Sequence, residues 1–242
     1  MKKILALTAL TLCMHAAVAV TPGYYVITTY DEEDETSLDF YFWNVKAPNS
    51  PAVDSPEIAV GHGVTSRWFT ELYASDIHTE SGGTMYSSMA WENDYMLTQG
   101  QYPIDVALHT MVTHYQNANT GTGFEFGPVL QADIDYLQLN GNLFFERDYE
   151  AAQANSMQMK YQWQAKYRWK PAFAFGLQGF GELGDWRDWS PLAEQSHRIG
   201  PALFTTVRRV GGQEFKLEAA YLFGKIFDKE AKTFTLRAHY EF

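Results

Sequence analysis

The chain has 242 residues, 46% hydrophobic and 16% aromatic, with 18 Lys and Arg against 29 Asp and Glu and a formal net charge of −11. So acidic a chain repels nucleic acid, and its length suits one domain. The single cysteine, Cys13, lies in the N-terminal run described next, so cysteine metal sites, cysteine nucleophiles and disulfides are excluded from the rest.

Lys2 and Lys3 precede an apolar run from Ile4 to Leu12, and Ala17-Val18-Ala19 follows. A basic start, a short apolar core and a small-x-small site predict a secretory signal peptide over 1–19. The run is interrupted by Thr8 and Thr11 and is shorter than the roughly 20 residues of a spanning helix. Losing Lys2 and Lys3 takes the net charge from −11 to −13. Residues 20–36 form a lead-in with an acidic run, Asp31 to Glu35, of the kind that is usually a solvated segment. Tyr24 to Tyr30 is a further candidate strand.

Strands are predicted at 37–45, 56–64, 67–76, 84–97, 103–115, 122–133, 135–147, 157–170, 171–183, 197–210, 213–225 and 232–242. The clearest is Met157 to Lys170, where Met157, Met159, Tyr161, Trp163, Ala165, Tyr167 and Trp169 alternate with polar residues. A soluble strand spans about five or six residues, whereas a tilted membrane strand needs about 9–11. Tight links fall at Thr65-Ser66, Asp133 to Asp135, Lys170-Pro171 and Gly211-Gly212. The longer polar links at 77–83, 116–121, 148–156, 184–196 and 226–231 fall at the other end. Gly127-Pro128 and Gly200-Pro201 interrupt two strands and predict bulges or kinks. The expectation is all-β: a transmembrane antiparallel up-and-down β-barrel of about 12 strands, with 10–14 open.

The last strand alternates through Phe234, Leu236, Ala238, Tyr240 and Phe242. An aromatic terminal residue with another two before it resembles the C-terminal signature of bacterial outer-membrane β-barrels. In that superfamily the signature, here Tyr240 and Phe242, is the assembly signal read by the barrel-assembly machinery. The stretches FEFGPVLQ (124–131), NLFFER (142–147), KYQWQ (160–164) and QGFGELGDW (178–186) are similar to a group of small exported proteins of Gram-negative bacteria. The resemblance implies fold, outer-membrane location and contact with outer-membrane lipid and periplasmic chaperones, and brings no catalytic or ligand residue with it.

Parity assigns the lumen. Early strands offer Glu71, Glu92, Asp94, Asp105, Glu125 and Glu146, and late strands offer Lys160, Lys166, Arg168, Lys170, Arg198, Arg208, Lys216 and Arg237, with Glu182 and Glu218 as exceptions. Acidic and basic walls either pair across a narrow lumen or face each other over water. Large inward groups such as Tyr136 and Phe180 favour partial filling. Ser196 and His197 are strand neighbours on opposite faces, which weakens them as a dyad. His109 is read as a polar lumen histidine. Calcium-loop and zinc spacings are lacking, so neither metal nor cofactor is expected. Trp186 and Trp189 in the loop from Gly184 to Gln195 read as interface anchors. Three functions stay open: a narrow channel for small polar solutes, a lipid-acting enzyme, or a sealed barrel with a structural or recognition role.

Overall fold

The computed structural model describes residues 24–29, 33–80, 83–116, 119–152, 155–208, 213–227 and 229–242, with the side chains of 84–86 and 208 left out. The predicted signal peptide, Asp31, Glu32 and the Gly211-Gly212 turn lie outside the described residues.

Twelve antiparallel strands close into a barrel: β1 (Thr36–Lys46), β2 (Val53–Thr65), β3 (Trp68–Thr79), β4 (Gly83–Met96), β5 (Asp105–Tyr115), β6 (Thr122–Ile134), β7 (Leu137–Tyr149), β8 (Gln158–Lys170), β9 (Phe173–Asp185), β10 (Ser196–Arg208), β11 (Glu214–Ile226) and β12 (Lys229–Glu241). Each strand pairs with its sequence neighbours, and β1 pairs with β12 from Ser37↔Glu241 to Lys46↔Lys232. Phe242 completes the seam: its amide donates to the Thr36 carbonyl at 3.0 Å and its carbonyl accepts from the Thr36 amide at 3.1 Å. Among the described strands no backbone edge is left for another chain to pair with.

Strands of 11–14 residues have the length a tilted crossing needs. Their outer face is apolar: Phe40, Ile58, Leu72, Met89, Trp91, Leu108, Phe175, Ile199, Leu203 and Phe223 are all exposed. Outward charges such as Lys46, Arg147, Lys225 and Lys232 stand near strand ends. So wide an apolar belt is disfavoured in water and matches a hydrocarbon layer. Trp68 and Trp91 lie near its rim, their indoles donating to Asn93 and Thr70. At one end lie the tight turns at 66–67, 135–136 and 171–172 and the 97–104 link, with both ends of the barrel sheet. The other end carries the loop with Trp186 and Trp189. There Glu80 accepts from Lys46 at 2.7 Å and from the Ala52 amide at 3.0 Å, which holds its carboxyl below the usual carboxylate range.

Three expectations are corrected. Val53 to Ser55 belong to β2, so Pro56 lies inside a strand, opposite Phe42. At both Gly-Pro pairs the ladder is interrupted without a bulge: pairing lapses at 127–128 and 200–201, and the β6–β7 register resumes unchanged from Phe126↔Phe145 to Val129↔Asn142, as does the β10–β11 register from Ile199↔Phe223 to Ala202↔Ala220. Proline only removes a ladder donor, and the glycine before it lets the neighbouring backbone close in. A Cβ on Gly127 would stand 1.9 Å from the Leu143 carbonyl oxygen, and one on Gly200 equally close to that of Tyr221. Tyr136 caps the β6–β7 turn, 64% exposed, and does not fill the lumen.

Candidate functional site

The interior is filled from two sources: the inward parity of the strands and the N-terminal segment. Tyr24 to Thr29 is not a strand. It runs inside the barrel, with Tyr25, Val26 and Ile27 buried. Two wall amides take the place of a neighbouring strand. The Ile27 amide donates to Gln162 Oε1 at 3.1 Å, and Asn142 Nδ2 donates to the Ile27 carbonyl at 2.8 Å. Asn142 also donates to Gln162 at 3.2 Å, which orients the pair. These bonds satisfy backbone groups that would otherwise be buried alone.

Aromatic contacts hold the rest of the segment. The Tyr25 ring stacks on Tyr41 with centroids 4.3 Å apart, and its hydroxyl lies 2.7 Å from that of Tyr73. Tyr24 packs edge-on against Trp43 and Phe180. The Arg198 guanidinium sits 3.9 Å above the Tyr24 ring, and Arg237 sits near both Tyr25 and Tyr41. Such cation–π contacts are strongest where water is excluded.

The residues named by parity fall into groups. On β3 to β7, Glu71, Glu92, Asp94, Glu125 and Glu146 are buried. The Tyr73 hydroxyl lies 2.6 Å from Glu71 and 3.0 Å from Glu92. His109, fully buried on β5, places Nδ1 2.8 Å from Asp94 and Nε2 3.6 Å from Glu125. Lys160 on β8 bridges Glu125 and Glu146 at 2.5 Å each. Arg198 pairs with Glu182 at 3.3 Å, and Arg237 with Asp39 at 3.0 Å. Most of these ion pairs link neighbouring strands, and Lys160 also reaches past β7 to Glu125 on β6.

At the tight-turn end, Asp105 accepts from the Gly100 amide at 2.6 Å and Arg168 pairs with Asp133. Lys170 is exposed there. Lys216 lies between Glu214 and Glu241, and Gln178 donates to Glu218. The Lys166 ammonium lies 4.7 Å from the Phe204 ring. The side chain of Arg208 lies outside the described residues. Lys166, Lys216, Arg237 and Glu218 help to line a cavity of about 340 Å³, whose inner side includes Val26, Thr28 and Thr29. Two recesses beside Tyr24, one against Tyr25 and Tyr41 and one against Lys160 and Phe180, measure about 10–20 Å³, too small for more than a water.

Parity missed Asp39 and Glu57, both buried; Glu57 accepts from the Trp43 indole at 3.1 Å. Asp39 shares the alternation of Ser37, Tyr41 and Trp43, a signal present in β1. The occupation of the lumen by residues 24–29 carries no periodic signal. Ser196 is buried and donates to Glu182, whereas His197 faces outward, against Tyr161.

No protein-family model and no curated protein matches the chain. Solved structures do. The NanC porin superposes with a TM-score of 0.59 at 11% identity, covering 83% of this chain and 98% of that one. The KdgM porin in complex with oligogalacturonate gives 0.57 at 8%, covering 85% and 99%. An outer membrane channel from Pseudomonas putida F1 gives 0.57 at 10%, covering 92% and 98%. The chain therefore has the fold of bacterial outer-membrane porins and channels. At these identities the likeness is one of fold.

Proposed function

We propose that this protein is an outer-membrane channel for small polar solutes, closed at rest by its own N-terminal segment. The observation that carries the reading is the Tyr24–Thr29 segment, which fills a barrel of channel fold yet, among the described residues, is tied to the wall by two backbone hydrogen bonds and no ladder. Net hydrogen bonds contribute about 0.5–1.5 kcal/mol each, so this segment can leave without unzipping a ladder. The cavity of about 340 Å³ beside it, lined by Lys166, Lys216, Arg237 and Glu218, is a polar vestibule at the tight-turn end. That end faces the periplasm if the barrel follows the usual short-turn rule.

The test is single-channel recording in planar bilayers, comparing the intact barrel with one lacking residues 20–33. Deletion is expected to give larger and longer-lived conductance steps in barrels that still migrate as folded, heat-modifiable species. Silence from both folded forms would overturn the channel reading in favour of a sealed barrel.

A further inference from the structure

Beyond transport, the lumen holds a set of donors that a sealed hydrocarbon-like interior does not need. Glu92, Asp94 and His109 are each at most 2% exposed, and one ligand atom from each lies within 4.8 Å of the others. Around them the buried wall carries five carboxylates, Glu71, Glu92, Asp94, Glu125 and Glu146, while Lys160 is engaged by the last two. Arg237, the next cation, is engaged by Asp39. Buried charge without compensation is costly, and a divalent cation would offset two of these charges at once.

One atom points the same way. Asp94 Oδ1 contacts His109 Nδ1, while Asp94 Oδ2 has no hydrogen-bond partner among the described residues. Both groups are fully desolvated. Glu92 uses Oε2 toward Tyr73, and its Oε1 lies 4.0 Å from His109 Nδ1.

We propose that Glu92, Asp94 and His109 form a binding site for a divalent transition-metal cation of the Zn²⁺ type inside the barrel wall. The donor set decides the class. Calcium takes six to eight oxygens, whereas one imidazole with two carboxylates suits zinc and its neighbours. Bonds of about 2.0–2.2 Å bring donors to about 3.3 Å apart, so the three side chains need only small rotations to close on the ion. His109 Nδ1 then coordinates, and Nε2–H, 3.6 Å from Glu125 Oε1, turns to donate to it. A carboxylate that orients the ring of a ligating histidine is the usual second partner in such sites. Lys160 in turn holds Glu125 in place.

The experiment refolds the barrel with excess Zn²⁺, or with Ca²⁺, so that access to the buried site is not limiting, and then desalts it. The expected result is one zinc per folded chain by elemental analysis, a higher urea midpoint than the metal-free barrel, and loss of both in His109→Gln and Glu92→Gln. Cobalt should give visible d–d bands in the wild type that vanish in His109→Gln. Zinc retained equally by the folded variants would place it on surface histidines and overturn the site. So would a wild-type midpoint that zinc leaves unmoved, a readout that holds even if a variant fails to fold. Calcium raising the midpoint as much as zinc, with His109→Gln unaffected, would overturn the role of the imidazole.

Discussion

Lys160 shows what one residue does in this interior. It is buried between Glu125 and Glu146 at 2.5 Å from each, so its ammonium compensates two carboxylates that water cannot reach. Removing one partner of such a group leaves the others uncompensated, typically at about 3–5 kcal/mol. Lys160→Met is therefore expected to lower the urea midpoint of the folded barrel sharply. Adding Glu125→Gln and Glu146→Gln to it should restore most of the loss, as read by the heat-modifiable gel shift. Tyr25 acts on a smaller scale. Its hydroxyl bonds to Tyr73, which is itself shared with Glu71 and Glu92, while its ring keeps the stack on Tyr41. Tyr25→Phe keeps that stack and loses about 1 kcal/mol of hydrogen bonding. We expect more frequent brief openings in bilayer recordings, with unchanged step size.

At the scale of elements, the N-terminal segment and the wall it lies against depend on different interactions. The strands are joined by backbone ladders, whereas residues 24–29 borrow the side-chain amides of Asn142 and Gln162. Asn142→Ala with Gln162→Ala should leave the barrel folded and raise open probability toward that of the deletion, a comparison made in the same bilayers. The Gly200-Pro201 step of β10 behaves in the opposite way. Pro201 faces outward and keeps register with Leu177 of β9, so Pro201→Ala should change the urea midpoint little. Gly200→Val meets the Tyr221 carbonyl at contact distances no side chain tolerates. It should separate β10 from β11 and lower the folded yield on refolding.

The whole molecule is set by closure and by its surroundings. Phe242 bonds to Thr36 through both backbone groups, so the last residue takes part in the seam as well as offering the aromatic pair with Tyr240. We propose that the pair also serves as the assembly signal. Deleting Phe242 should slow barrel formation by the assembly machinery in vesicles more than it lowers the stability of barrels already folded. The outer belt makes a separate demand. Leu203 is exposed in the middle of β10, and Leu203→Arg should cost about 2–4 kcal/mol in a bilayer if it lies near mid-depth, measured by unfolding from lipid vesicles.

Strand number and strand bounds within a few residues were legible in the sequence, because a period of two survives whatever the strands enclose. Closure followed from an even count and from the alternation of short and long links. What the alternation could not carry is anything set by contacts across the lumen. Residues 24–29 contain no repeat, and their place depends on Asn142, Gln162, Tyr41 and Tyr73, which lie far away along the chain. The partners of each charge were likewise decided by register: parity puts His109, Asp94 and Glu125 on one face, but only the pairings Asp94↔His109 and His109↔Gly127 bring them side by side. Periodicity is local and determines which way a side chain points. The stagger of neighbouring strands is a property of the closed sheet, and it determines what that side chain meets.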